Sequence, residues 1–296
     1  MKRSSSIENY LLIGHILSMA FGLAGIILVL PNVEFQQKLA QFAWGSTIFG
    51  WSMAGGGVVY MLLATAAVAL YAYRTLGVWH WLSFMIPAIG LSLGSELLGT
   101  STGFPFGEYR YLSGLGYKIA GLVPFTIPLS WFYLGFSAYI IALAGLKRLE
   151  ISNWLSQLGA IICGALCLTS WDFVLDPAMS QAAIPFWVWD QPGEFFGMPY
   201  QNFAGWMGTG ILFMTVATLL WKVKPLTIPS DDLKLPLAIY LANFAFATFL
   251  SLAAGFYTPV LLGFILGILP LMILYWMAIN RDPTSLEGNA LATNTN

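Results

Sequence analysis

Three carboxylates stand where an apolar chain has little reason to put them. Glu96 closes a run of about 20 mostly apolar residues, and Asp172 and Asp176 lie near the end of another. Ionisable side chains in or beside a membrane span are costly, so their positions carry information. Asp172 and Asp176 are four residues apart and share a helix face. Glu96 falls at similar depth at the end of an earlier helix, so the three are expected to converge on one pocket. Beside them run two aromatic stretches, "GFPFGEYRYLSGLGYKIAGLVPFTIP" and "DPAMSQAAIPFWVWDQPGEFFGMPYQNFAGW". Tyr109, Trp131, Trp171, Trp187, Trp189 and Trp206 are the candidates to line the pocket, with Asn202 as a candidate to hold a water.

Carboxylic acids, aromatic faces and water in an apolar setting suit proton-initiated chemistry on an alkene. A buried carboxyl keeps its proton near neutral pH and can act as a general acid. Protonating a trisubstituted double bond makes a tertiary carbocation, which aromatic faces stabilise. An ionised carboxylate nearby adds electrostatic stabilisation and can take a proton from an attacking water. The net result is hydration; with water excluded, the cation cyclises or loses a proton. In this reading Glu96 or Asp172 is the acid, and the other stays ionised with Asp176.

What the sequence lacks narrows the chemistry further. Two histidines cannot supply the cluster a membrane di-iron hydroxylase needs. No haem motif, dinucleotide fingerprint, Walker loop or zinc spacing occurs, so neither a cofactor nor a metal is expected. Asp172 and Asp176 are spaced DxxxD rather than DDxxD, and the Asp231–Asp232 pair falls on the other side of the membrane, which disfavours diphosphate–Mg²⁺ chemistry. Cys163 and Cys167 read as small packing residues.

Each residue also has a plainer reading. Asp176 precedes Pro177, a place where helices stop. Asp190 and Glu194, acids on the same face, read equally well as wet loop residues. Glu108 has Arg110 or Lys118 as possible ion-pair partners. His15 reads as a packed helix histidine, and His80, between Trp79 and Trp81, as part of an interfacial belt. The glycines of "GWSMAGGGVVY" at 50–60 read as close helix packing.

The elements that must position these groups follow from composition. Of 296 residues, 58% are hydrophobic and only 8% charged, against roughly 25% charged in a soluble domain. That predicts an all-α polytopic membrane bundle. Apolar runs near the roughly 20 residues that cross a bilayer fall at about 10–30, 46–72, 79–99, 124–146, 154–175, 203–221, 236–254 and 258–279. Eight spans fit best; seven result if the last two form one unit broken around Gly255 to Pro259. Residues 1–281 are read as one integral-membrane domain and 282–296 as a disordered polar tail. A net charge of −1 gives no case for nucleic acid.

Under eight spans, Lys2, Arg3, Arg74, Lys147, Arg148, Lys222, Lys224, Lys234 and Arg281 fall on one side, and Lys38, Arg110 and Lys118 on the other. This bias predicts that both termini are cytoplasmic. Two long loops, 100–123 and 176–202, then share the non-cytoplasmic face and are expected to fold back over the helix ends. They also echo each other: Glu96 precedes Gly121, and Asp172 precedes Gly197, by 25 residues each, and a tryptophan follows in each case, Trp131 and Trp206. A weak parallel repeat of helix, lid and helix is one reading, and chance resemblance is the other.

The segments "ELLGTSTGFPFGEYRY", "LGYKIAGLVPFTIPLSWF", "SWDFVLDPAM" and "FWVWDQPGEFFGMPYQNFAGW" resemble the carotenoid biosynthesis membrane-protein family. The likeness is specific over about 90–210 and general in the flanking helices. Characterised members of that family are cofactor-independent carotenoid 1,2-hydratases, including γ-carotene 1'-hydroxylases and bisanhydrobacterioruberin hydratases. The resemblance implies a hydro-lyase adding water across the terminal C1'–C2' double bond of an acyclic ψ-end, on a γ-carotene- or lycopene-like substrate, to give a tertiary alcohol. Membrane lipid and other carotenoid-pathway enzymes are the partners it implies. Another carotenoid end-group enzyme, such as a cyclase, and a non-enzymatic membrane lipid or solute carrier are the alternatives.

Overall fold

The computed structural model describes residues 6–149, 151–226, 228 and 232–280. The tail expected over 282–296 lies outside them. Among the described residues, eight helices are long and apolar enough to cross a membrane: α1 (Ser6–Val29), α3 (Gly45–Leu76), α4 (Val78–Thr102), α5 (Thr126–Leu146), α6 (Asn153–Ser180), α7 (Tyr200–Trp221), α8 (Lys234–Ala253) and α9 (Tyr257–Ile279). The last two are separate helices, divided at Gly255, whose φ of +82° ends α8. A short helix, α2 (Val33–Gln41), follows α1; the Asn32 side chain caps it by accepting the Phe35 N–H at 2.9 Å.

Helix α5 is the axis of the bundle and is buried along almost its whole length. Its Gly145 lies against the backbone of α9, where a Cβ would sit 2.3 Å from the Leu274 carbonyl. Helices α1 and α3 cross equally closely at Gly22 and Gly56. There Gly55–Val59 forms a π-helical turn, a local widening of the helix. The glycine-rich stretch is thus a packing device, as expected, but Gly57 packs on the lid rather than on a helix: a Cβ would sit 2.2 Å from the Gly114 carbonyl.

Buried polar groups tie the helices together. His15 of α1 bonds through Nδ1 to the Tyr60 carbonyl of α3 (2.9 Å) and through Nε2 to the Asn243 amide of α8 (3.0 Å). Asn243 Oδ1 in turn accepts from the Tyr133 hydroxyl of α5 at 3.3 Å. His15 is therefore a packed helix histidine. His80 departs from the interfacial-belt expectation: it is buried, and its ring nitrogens meet the Leu76 and Lys224 carbonyls at 2.9 and 2.8 Å. At the same end, Arg74 of α3 bonds to buried Glu8 of α1 (2.6 and 2.9 Å) and to Asp232 (2.8 Å).

The long loops begin later than the sequence suggests. Helix α4 runs on to Thr102 and ends at Gly103, whose φ is +79°. Helix α6 passes through Pro177 to Ser180, so Asp176 does not end it. Proline removes one helix N–H; just past it, the Ser180 hydroxyl bonds back to the Asp176 carbonyl and the Gln181 amide to the Pro177 carbonyl. The loops carry four short strands: β1 (Tyr109–Tyr111), β2 (Lys118–Ile119), β3 (Val123–Pro124) and β4 (Trp187–Trp189). β2 pairs with β3 within the first loop. β1 pairs antiparallel with β4 of the second loop, so the two loops form one lid.

Candidate active site

The lid covers one end of the α4–α7 group, and the β1–β4 pairing decides what faces inward. Tyr109 lies opposite Trp189, Arg110 opposite Val188, and Tyr111 opposite Trp187. Side chains alternate across a strand, so Tyr109, Tyr111, Trp187 and Trp189 turn to the cavity. Arg110 turns outward and pairs with Asp190 at the surface. Asp190 and Glu194 are exposed, and the acids expected on this face thus separate into two at the surface and three inside. Glu108 is also exposed; neither suggested partner reaches it, because Arg110 takes Asp190 and Lys118 bonds to the Tyr111 carbonyl at 2.6 Å.

Glu96, Asp172 and Asp176 are each at most 3% exposed and line the same cavity. Their partners differ. Glu96 Oε2 accepts from the hydroxyls of Tyr109 and Tyr111, the latter at 2.9 Å, and Oε1 accepts from Trp131 Nε1 at 3.0 Å. Asp172 Oδ2 accepts from the Asn202 amide at 2.7 Å, and Asp176 Oδ1 from Trp189 Nε1 at 2.9 Å. Burial and the neighbouring Glu96 carboxylate push both lid phenols, Tyr109 and Tyr111, well above the ordinary tyrosine range. Both therefore stay protonated and donate.

Aromatic rings complete the walls. Trp206 of α7 stacks on Trp131 of α5 with ring centroids 4.0 Å apart, and lies 5.9 Å from Trp171. Trp171 is fixed by its indole N–H on the Asn243 carbonyl at 3.2 Å. The cavity left between these groups measures about 40 Å³, above the roughly 10–15 Å³ that one water requires. Among the described residues, no group of three or more His, Cys, Asp or Glu side chains could hold a metal ion.

Most residues singled out from the sequence meet here: Tyr109, Trp171, Trp187, Trp189, Asn202 and Trp206 line the cavity with the three acids. Trp131 does not reach the wall; it stands behind Glu96, held by its hydrogen bond and by Trp206. The positions that echo in the two loop regions also meet in space. Glu96 and Asp172 face one cavity, Trp131 stacks on Trp206, and the two loops pair through β1 and β4. Sequence reasoning missed Tyr111, although the alternation in "YRY" places it beside Tyr109. It also missed Tyr60 and Met61, which α3 brings to the wall from far along the chain with no local signal.

Fold and site define a polytopic membrane protein with a carboxylate pocket under an aromatic lid. Residues 56–270 match the family of carotenoid biosynthesis proteins, and the chain belongs to that family. It is also similar to a curated relative, the bisanhydrobacterioruberin hydratase of Haloarcula japonica, with 38% identity over 130 residues. That match covers 44% of this chain, and the chain spans 41% of the relative's length. No solved structure matches the chain.

Proposed function

We propose that this protein is a carotenoid hydratase, adding water across the terminal C1'–C2' double bond of an acyclic ψ-end of a γ-carotene- or lycopene-like substrate. The observation that carries the reading is the unequal partnering of three buried carboxylates around one aromatic cavity. Glu96 meets three donors on its two oxygens, a set that suits an ionised, acceptor-only carboxylate. Asp172 Oδ1 takes no hydrogen bond from the described residues, and Asp172 borders the cavity beside Asp176.

In this mechanism Asp172 is the general acid and gives its proton to C2' of the end group. The tertiary cation at C1' lies among Trp171, Trp187, Trp189 and Trp206 and faces the Glu96 carboxylate. Water adds to C1'. The Asp172–Asp176 pair takes a proton from that water, which restores the site and leaves a tertiary alcohol. Asn202 orients Asp172 through its amide, and its free carbonyl oxygen is available to the water. The polyene lies along apolar helix faces open to lipid. Both termini are on the cytoplasmic side, opposite the lid, in keeping with the basic residues at that end of the bundle.

The test is coexpression in a bacterium that makes lycopene or γ-carotene, with pigment mass spectrometry in ¹⁸O-labelled water. A pigment that gains one labelled water is expected. Unchanged pigment mass, with the protein folded in the membrane, overturns the reading; a cyclised product of equal mass would identify an end-group cyclase instead.

A further inference from the structure

A second cavity lies at the opposite end of the same helices, where α5 ends and α6 begins. It measures about 210 Å³ and is lined by Lys147, Lys222, Asn153 and Gln157, with Tyr139, Trp221 and a few apolar neighbours. Its polar chemistry is one-sided. Two ammonium groups and two side-chain amides border it, and no carboxylate among the described residues does. Tyr139 and Thr218 satisfy each other at 2.7 Å. Lys147 reaches only a carbonyl, that of Leu226 at 3.2 Å. Lys222, Asn153 and Gln157 have no hydrogen-bond partner within the described structure through their side chains. Lys147, Lys222 and Asn153 are exposed, so the cavity opens to the surface at these groups.

Exposed apolar side chains stand at the same helix ends, outside the cavity lining: Trp154 and Leu155, on the first turn of α6, are 62% and 40% exposed, and Val223, next to Lys222 in the chain, is 74% exposed. A tryptophan and aliphatic side chains at a helix end mark the level where a membrane span meets headgroups. Cationic pockets between spanning helices at that level take phosphorylated headgroups, and lysine is a common phosphate binder.

We propose that this cavity is a binding site for a phosphate-bearing anion, held between Lys147 and Lys222 with the Asn153 and Gln157 amides as added donors. Its position at the ends of three spanning helices, at the level of exposed Trp154, favours the headgroup phosphate of an anionic phospholipid over a soluble phosphate. The site is separate from the lid cavity: along α6, Gln157 and Asp172 are 15 residues apart, about 22 Å at the helical rise. The proposal therefore does not depend on the hydratase reading.

The full chain, purified in neutral detergent, would be mixed with phosphatidylglycerol or phosphatidylcholine and bound lipid counted by native mass spectrometry. Wild type should retain phosphatidylglycerol in preference. K147Q/K222Q should lower its apparent affinity about 25-fold, or about fivefold per lysine, while K38Q, at the lid end of the bundle, leaves it unchanged. Inorganic phosphate added at millimolar level separates the sources. Failure to displace the lipid assigns the site to headgroups, and phosphate binding without lipid retention assigns it to a soluble anion. Equal phosphatidylglycerol retention by wild type and the double variant overturns the proposal. Should the double variant not fold, K222Q alone decides, because that ammonium holds no part of the fold together; unchanged retention in K222Q would be equally fatal.

Discussion

At the residue scale, the donor set of each carboxylate sets its expected role. Glu96→Gln and Asp172→Asn should each lower turnover by about 10²-fold or more while the protein still folds in the membrane. Pigment yield normalised to folded protein measures this, and full activity in both would reject the assignment. Tyr111→Phe removes one of three donors to Glu96. A hydrogen bond to a charged group contributes about 1.5–3 kcal/mol, so turnover should fall roughly 10- to 100-fold. The two lid phenols also give a pH prediction. Their folded pKa values are raised, whereas a free phenol titrates near 10. The unfolded chain sheds these protons first, so their contribution to stability is whole below about pH 10 and declines above it. In an alkaline titration followed by phenolate absorbance, Tyr109→Phe/Tyr111→Phe should remove no amplitude until the folded protein opens.

At the element scale, the lid and the helix ties make separate demands. The exposed Arg110–Asp190 pair joins the two loops at the surface, yet exposed pairs contribute only about 0–1 kcal/mol. The lid therefore depends on β1–β4 pairing and on its aromatic inner face, and Arg110→Ala should shift the unfolding midpoint little. Arg74 is different, because it neutralises Glu8, which is 1% exposed. Arg74→Ala removes two charge-assisted hydrogen bonds to Glu8 and one to Asp232 and should lower the thermal unfolding midpoint in detergent clearly more than Arg110→Ala does. The difference between these two arginines was not legible in the sequence. Both stand near a helix or strand end, and burial of the partner comes from packing by other elements.

At the scale of the whole molecule, eight helices are long and apolar enough to cross a membrane, and if all eight cross, both ends of the described chain are predicted on one side. Reporter fusions at the N-terminus and after α9 should give the same topology signal, and opposite signals would remove one span. The two loop regions, read as an echo in sequence, build the two sides of one cavity. That arrangement explains why acids from α4 and α6 share a pocket although 76 residues separate Glu96 from Asp172.

The amino-acid sequence alone determined the helical membrane class and the approximate spans, because low charge and long apolar runs leave few other ways to satisfy a backbone in lipid. It also located the three acids, because a carboxylate stands out against apolar neighbours. Where the sequence fell short, the cause was contact at a distance. Helix α6 runs through Pro177 to Ser180, and the Asp176 side chain, read locally as a helix-ending residue, is instead held by the Trp189 indole of the lid. Trp131 supports Glu96 instead of lining the wall because Trp206 and the carboxylate hold it there. Tyr60 and Met61 enter the site only because α3 packs beside α5. Periodicity fixes which face of an element a residue occupies; only the tertiary structure decides what meets that face, since the partners come from elements with no sequence relation to it.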